Sequence, residues 1–243
     1  MKKLFLFALS LLFATAHAHQ TEVYAGPHFN YMRISFNNPS HLEGYAAGIT
    51  TGIQYVHSYF RGSLDFEGTW NAGPITGEPA QRSSIYEYFL DLNLGPTFSW
   101  NRWQFQPYTG FGWDRFNNKQ NPSGSALSFR YDKLFVPVGF YVNWMTTMFK
   151  VGLQFEFRPD VYQNLKLIGI DLDPSWGYAF RTQLLIKQFF SFSWGRMFVN
   201  VIPFFDWNRF GKIYEENSVG ATLDISRLLY WKLGARVLVG VEF

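Results

Sequence analysis

From Tyr86 to Trp100 every second residue is apolar or aromatic: Tyr86, Tyr88, Leu90, Leu92, Leu94, Pro96, Phe98 and Trp100. Glu87, Phe89, Asp91, Asn93, Gly95, Thr97 and Ser99 lie between them. A side-chain period of two over so long a run belongs to an extended strand with one apolar and one polar face, and the helical period of about 3.6 cannot produce it. The pattern recurs. Phe149, Val151, Leu153, Phe155 and Phe157 alternate with Lys150, Gly152, Gln154, Glu156 and Arg158, and Phe60, Leu64, Phe66 and Trp70 alternate with Arg61, Ser63, Asp65, Glu67 and Thr69. Residues 133–144 place Leu134, Val136, Val138, Phe140, Val142 and Trp144 against Lys133, Gly139, Tyr141 and Asn143. Residues 103–114, 176–187 and 197–208 behave likewise, 45–56 more weakly, and 21–36 least regularly.

Two kinds of connection alternate between these segments. Short ones fall near His57-Ser58, Asn101-Arg102, Met145 to Thr147 and Phe192 to Gly195. Long ones rich in Asn, Pro, Gly and Ser fall at 37–43, 71–83, 117–129, 159–175 and 211–229. Strands joined in this way form an up-and-down antiparallel meander with all long loops at one end. The fold class is therefore all-β. Eight strands end by Lys187, a ninth covers about 196–210 and a last about 230–243, which predicts ten; Ser218 to Ile225 leaves twelve open, and long loops leave eight.

Which face points inward decides what such a barrel is. The chain is 21% aromatic and only 16% charged, yet its mean hydropathy is −0.11, so its apolar residues are spread by alternation and not gathered into the runs of about 20 that a membrane helix needs. Three features turn the apolar face toward lipid. The apolar strings have the length of a tilted bilayer-crossing strand. Trp residues gather at strand ends: Trp100, Trp103, Trp144 and Trp194 at the tight turns, and Trp70, Trp113, Trp176 and Trp207 toward the long loops. Rings of this kind favour the two membrane–water boundaries, so these eight form the expected aromatic girdle. The chain also stops on Val237, Val239, Val241 and Phe243, alternating with Arg236, Leu238, Gly240 and Glu242.

The N-terminus carries an address. Lys2 and Lys3 precede an apolar run from Leu4 to Phe13, and Ala16 and Ala18 supply small residues at an A-x-A site, the layout of a cleaved secretory signal peptide over 1–18. The barrel domain is then 19–243. The formal charge of +3 falls to +1 once Lys2 and Lys3 leave, which removes the charge argument for a nucleic-acid partner. With no Cys, lipoprotein anchoring, disulfides and Cys-based metal or redox sites are excluded.

A Sec-type signal, alternating strands with aromatic ends, long and short loops in turn and a terminal Phe together resemble the small monomeric outer-membrane β-barrel proteins of Gram-negative bacteria, the porin-like and OmpA-type barrels. The resemblance covers the whole mature chain. It implies residence in the outer membrane, outer-membrane lipid as surroundings, and recognition of the last strand by the barrel-assembly machinery, with Phe243 as part of that signal.

On the polar face, Arg61, Asp65, Glu67, Glu87, Asp91 and Asp114 form a mainly acidic arc. Lys133, Lys150, Glu156, Arg158, Arg181, Lys187, Asp206, Lys232, Arg236 and Glu242 form a mainly basic one. In a closed ten-stranded barrel the two arcs face each other. Either they pair and fill a structural interior, or they set a transverse field across a narrow water-filled pore. A surface adhesin or recognition protein acting through the long loops at 71–83 and 117–129 on a host or surface ligand is the alternative.

Catalysis finds little support. Outer-membrane barrels of the lipid-modifying or proteolytic kind use His with Ser and an acidic residue, or acidic residues with His. Here His41 falls in a predicted long loop and His57 at a tight turn on the opposite side, while His28 falls mid-strand, so no catalytic residues are assigned. No metal ligands at usable spacing and no phosphate loop occur, and no cofactor is expected.

Overall fold

A computed structural model describes residues 20–35, 41–73, 76–78, 83–120, 128–167, 170–193, 195–216, 222–225 and 228–243. Residues 1–18, read above as a signal peptide, and Trp194 lie outside the described residues. Ten antiparallel strands close into a barrel. They are β1 (Gln20–Ser35), β2 (His41–Val56), β3 (Phe60–Asn71), β4 (Ser83–Pro96, continued by Phe98–Trp100) and β5 (Trp103–Gln120). After these come β6 (Phe129–Phe135 and Val138–Met145), β7 (Phe149–Leu167), β8 (Tyr178–Phe192), β9 (Gly195–Arg209) and β10 (Leu229–Glu242). Each pairs with its sequence neighbours, and β1 closes the ring on β10, with Glu22 opposite Glu242 and Ser35 opposite Leu229. Reciprocal backbone hydrogen bonds between Thr21 and Phe243, at 3.2 and 3.0 Å, tie the C-terminal residue to the start of β1 at the tight-turn end. Ile213–Glu216 and Thr222–Ile225 make a separate two-stranded ribbon, so the ambiguous segment before β10 adds no strand to the ring.

The turn at Asn101-Arg102 illustrates how sequence sets the tight end. Asn101 has φ 55°, a left-handed conformation that Asn tolerates and that a two-residue hairpin of this hand requires, and it leaves Trp100 and Trp103 paired across the strands.

The strands run further at the other end than alternation of the expected polarity predicts. β2 begins at His41, β5 reaches Gln120, β6 begins at Phe129 and β7 reaches Leu167, so parts of the segments read as loops at 37–43, 117–129 and 159–175 are strand, and His41 is a strand residue. The reason is a reversal of polarity along the barrel. In β6, Phe129 and Tyr131 point inward while Arg130 and Asp132 point outward; two residues on, Lys133 points inward and Leu134 outward. β1 reverses likewise, with Met32 and Ile34 inside and Arg33 and Ser35 outside, but His28 inside and Phe29 outside. In β5, Phe116 is buried and Arg115 faces out, whereas Asp114 is buried and Trp113 faces out.

The barrel is thus membrane-like at the tight-turn end and soluble-like at the long-loop end. Geometry agrees: the 19 residues of β7, at about 3.3 Å per residue and a tilt near 40°, reach about 48 Å along the barrel axis, against an apolar band of about 25 Å in barrels of this kind. β7 also carries a register shift between Asp160 and Tyr162, beside the interruption of β6 at Val136-Pro137, where Val136 N–H donates to the Pro159 carbonyl at 3.1 Å. A bulge there re-aims Asp160, which lies buried against Lys133 at 3.6 Å.

Candidate functional site

Among the described residues, the interior of the barrel is a concave, polar feature shared by all ten strands. Of the polar-face residues named from the alternation, Arg61, Glu67, Glu87, Asp91, Asp114, Lys133, Lys150, Glu156, Arg158, Arg181, Lys187, Asp206, Lys232, Arg236 and Glu242 are buried, and Asp65 is half-buried between exposed Leu64 and Phe66. With no alternative burying element, burial here means that these side chains point into the barrel.

Many meet across it. Arg181 on β8 donates to both oxygens of Asp206 on β9, at 2.6 and 2.8 Å, and reaches Glu67 on β3, five strands away, at 2.9 Å. Glu67 also holds Arg236 of β10 at 2.8 Å. Lys232 joins Glu87 at 2.7 Å and Asp206 at 3.7 Å, and the Tyr230 hydroxyl donates to Glu87 at 3.0 Å. Arg236 donates to Gln183 at 2.6 Å, Gln183 donates to Gln154, and Gln154 donates to the Tyr108 hydroxyl at 2.5 Å. Tyr108 in turn donates to Glu156 at 2.6 Å, and Glu156 pairs with Arg158. One connected network therefore crosses the interior from Lys232 to Arg158.

Not every acidic residue of the first arc is drawn into an ion pair with the second. Asp91 accepts from Asn93 at 2.7 Å, and Asp65 accepts from the Tyr24 hydroxyl. Asp114 meets Lys133 on the neighbouring strand at 3.8 Å.

Inward rings separate the charges. Phe89 has the Arg158 guanidinium 4.6 Å and the Arg181 guanidinium 4.5 Å from its centroid and stacks on Phe135 at 5.5 Å. Arg236 lies 4.4 Å from the Phe204 centroid and Arg61 4.0 Å from that of Tyr141. A desolvated cation over a ring face is held electrostatically as well as by packing. The signal for Phe89 was present, since it occupies a polar position in the most regular strand. Glu22, Gln54 and Asp160 are further interior groups that the alternation did not single out.

Toward the long loops the interior turns apolar. Met32, Ile34, Leu42, Ala46, Ile85, Phe116, Phe129, Tyr131, Leu165 and Tyr230 from the strands form one buried cluster with Leu172, Phe210 and Leu228 from the connections. Phe116 and Tyr230, from opposite walls, approach to 5.1 Å between centroids, and Tyr131 meets Phe210 edge-on at 4.3 Å. This cluster caps the charged interior.

The outer face carries the Trp residues. Trp70, Trp100, Trp103 and Trp176 are exposed, and Trp113, Trp144 and Trp207 are half-exposed on outward positions. Trp103 opposes Trp144 at one end, and Trp207 opposes Trp231 toward the other.

His28 is packed between two hydroxyls, Nδ1 to Thr50 Oγ1 at 3.0 Å and Nε2 to Thr69 Oγ1 at 2.9 Å, and among the described residues no carboxylate is hydrogen-bonded to its ring. His41 and His57 lie at opposite ends of β2. Among the described residues no group of three or more His, Cys, Asp and Glu side chains is arranged to hold a metal ion.

A family model described as outer membrane protein β-barrel domain matches residues 4–166. No curated protein matches. Among solved structures, the outer membrane protease OmpT from Escherichia coli superposes with a TM-score of 0.52 at 11% identity over 94% of this chain and 97% of its own. The translocator domain of the autotransporter NalP from Neisseria meningitidis gives 0.46 at 10% identity over 100% and 95%. Neisserial surface protein A gives 0.36 at 13% identity over 89% and 96%.

Proposed function

Since the chain belongs to the outer membrane protein β-barrel domain family and is an outer-membrane barrel, we propose that it acts as a closed structural barrel that carries its long loops above the membrane and conducts no solute. In barrels of this kind the short turns face the periplasm and the long loops the outside. Delivery would begin with cleavage of residues 1–18, and Phe243 would present the last strand to the assembly machinery. The carrying observation is the combination inside: an ion-pair network that reaches from β3 to β8, and an apolar cluster that closes the long-loop end. A conducting pore needs a continuous polar path, and an apolar constriction excludes water from it.

Support for display at the surface comes from the strands themselves, which rise past the apolar band with polar residues outward, and from the ribbon of Ile213–Glu216 and Thr222–Ile225 beyond the ring. Such a projection is where a host or surface ligand could be met.

Single-channel recording in planar lipid bilayers tests the reading. The expected trace is flat at all voltages. Stable, repeated openings from folded protein would overturn it in favour of a narrow pore lined by the opposed charges.

A further inference from the structure

The charged interior is cross-linked by ion pairs near its middle and carries facing like charges at its tight-turn end. There, Lys150, one residue into β7, stands directly opposite Lys187 on β8, both inward. Like charges placed opposite each other on paired strands are destabilising unless compensated. Glu22 supplies a carboxylate, but its oxygen is committed to Lys187 at 2.6 Å, and Glu242, the other carboxylate facing Lys150, is held by Arg196 at 2.9 Å. Lys150 is only 7% exposed and has no hydrogen bond or ion pair with any described residue.

Two more donors converge on the same place. Arg61, one residue into β3, has no ion pair among the described residues and donates to Gln54 Oε1 at 2.8 Å, while the buried Gln54 Nε2 has no acceptor among them. Lys150, Lys187, Arg61 and Gln54 line one cavity of about 60 Å³. That is room for about four water-sized positions, the size of a small oxyanion. Four carboxylates also line the cavity, each already bonded: Glu22 to Lys187, Asp65 to Tyr24, Glu67 to Arg181 and Arg236, and Asp91 to Asn93.

We propose that this pocket is a binding site for a small oxyanion, such as inorganic phosphate or a short carboxylate, reached from the tight-turn end. A negative group there would accept from the Lys150 ammonium and the Gln54 amide and screen Lys150 from Lys187. An unpaired buried amide is costly, as are like charges directly opposite each other on paired strands, and one ligand relieves both.

The test uses the full chain folded in a non-ionic detergent and free of oxyanion buffer, with lysine side-chain nitrogen NMR as the readout. Sodium phosphate and sodium acetate are titrated separately, with sodium chloride as the ionic-strength arm. The Lys150 resonance, assigned by its loss in Lys150→Gln, is expected to shift saturably with at least one oxyanion and not with chloride. By calorimetry, Lys150→Gln should bind about tenfold or more weakly, the worth of one charge-assisted bond, whereas Lys150→Arg should retain binding. Gln54→Glu keeps the acceptor for Arg61 but places a carboxylate in the cavity, so it should abolish binding without removing any cation. Absence of saturable binding by the parent chain, or unchanged binding by Lys150→Gln or Gln54→Glu, would overturn the proposal. Neither outcome bears on conductance, so the closed-barrel reading stands or falls separately.

Discussion

Glu67 is the residue on which the two halves of the interior depend. Its carboxylate takes Arg181 at 2.9 Å from β8, on the far side of the barrel, and Arg236 at 2.8 Å from β10, three strands away around the ring. Glu67→Gln preserves shape and one acceptor oxygen while removing the charge. Arg181 keeps its two-bond pairing with Asp206, but Arg236 is left with Gln183 alone. Breaking one side of a buried pair costs about 3–5 kcal/mol, because the remaining ion is buried without compensation. The retained oxygen and Asp206 place the expectation at the low end, about 3 kcal/mol.

In urea titrations of refolded protein in detergent, followed by Trp fluorescence and by the heat-modifiable gel shift, that loss moves the midpoint down by about 1–3 M, given slopes of about 1–3 kcal/mol per molar urea. Arg236→Gln alone should cost a similar amount, and the double variant less than the sum, with a coupling of about 1–2 kcal/mol. A loss below about 0.5 kcal/mol for Glu67→Gln, or strict additivity, would refute the reasoning: it would mean that interior water screens the pair as it does at a surface. That result would also fit an open pore.

Other expectations follow from single contacts. Tyr230→Phe removes the hydroxyl that donates to Glu87 at 3.0 Å without opening a cavity and should cost about 1–2 kcal/mol in the same titration. Phe116→Ala removes a buried ring that bridges Phe129 and Tyr230 in the cap, for about 3–5 kcal/mol; a loss under about 1 kcal/mol would mean that the cap is not packed. At the closing seam, a Cβ at Gly26 would stand 1.9 Å from the Val237 carbonyl oxygen, whereas one at Gly73 meets nothing within 4 Å. Gly26→Ala should therefore lower the yield of the heat-modifiable folded form and Gly73→Ala should not. On the lipid face, Leu153→Arg, between the two aromatic belts on β7, should cost about 2–4 kcal/mol in bilayers; near-equal stability with the parent would place that face away from lipid.

What could be read from the sequence follows from where one rule of polarity held. Strands β3 and β4 over most of their length, and β7 over its first half, lie against lipid on one side and polar interior on the other, so period and polarity coincide. The ten-strand order follows from their spacing. Near the long loops the solvent outside changes from lipid to water, and the same inside-outside alternation continues with its chemistry reversed. Met32 and Ile34 then look like failures of the pattern in β1, and Arg130 and Asp132 look like loop residues before β6, although both segments are strand. The period survives the boundary; only the polarity inverts.

The reversal also carries physical information that neither half contains alone. Along β6 it falls between Asp132 and Lys133, along β5 between Asp114 and Phe116, and along β1 between Phe29 and Met32. Outward Trp113 sits beside it on β5, with the Arg115 guanidinium 5.0 Å from its ring centroid, an aromatic at the boundary and a cation just beyond. Ion pairs gain most where the surroundings have a low dielectric constant, and apolar packing gains most where the alternative is contact with water. The barrel meets both conditions by moving its ion pairs into the lipid-facing section, where Glu67, Arg181 and Asp206 hold opposite walls together, and its apolar packing into the section beyond. The pairing is then strongest where dielectric screening is least. The cap lies where the hydrophobic effect can act, because only there does water stand outside the wall.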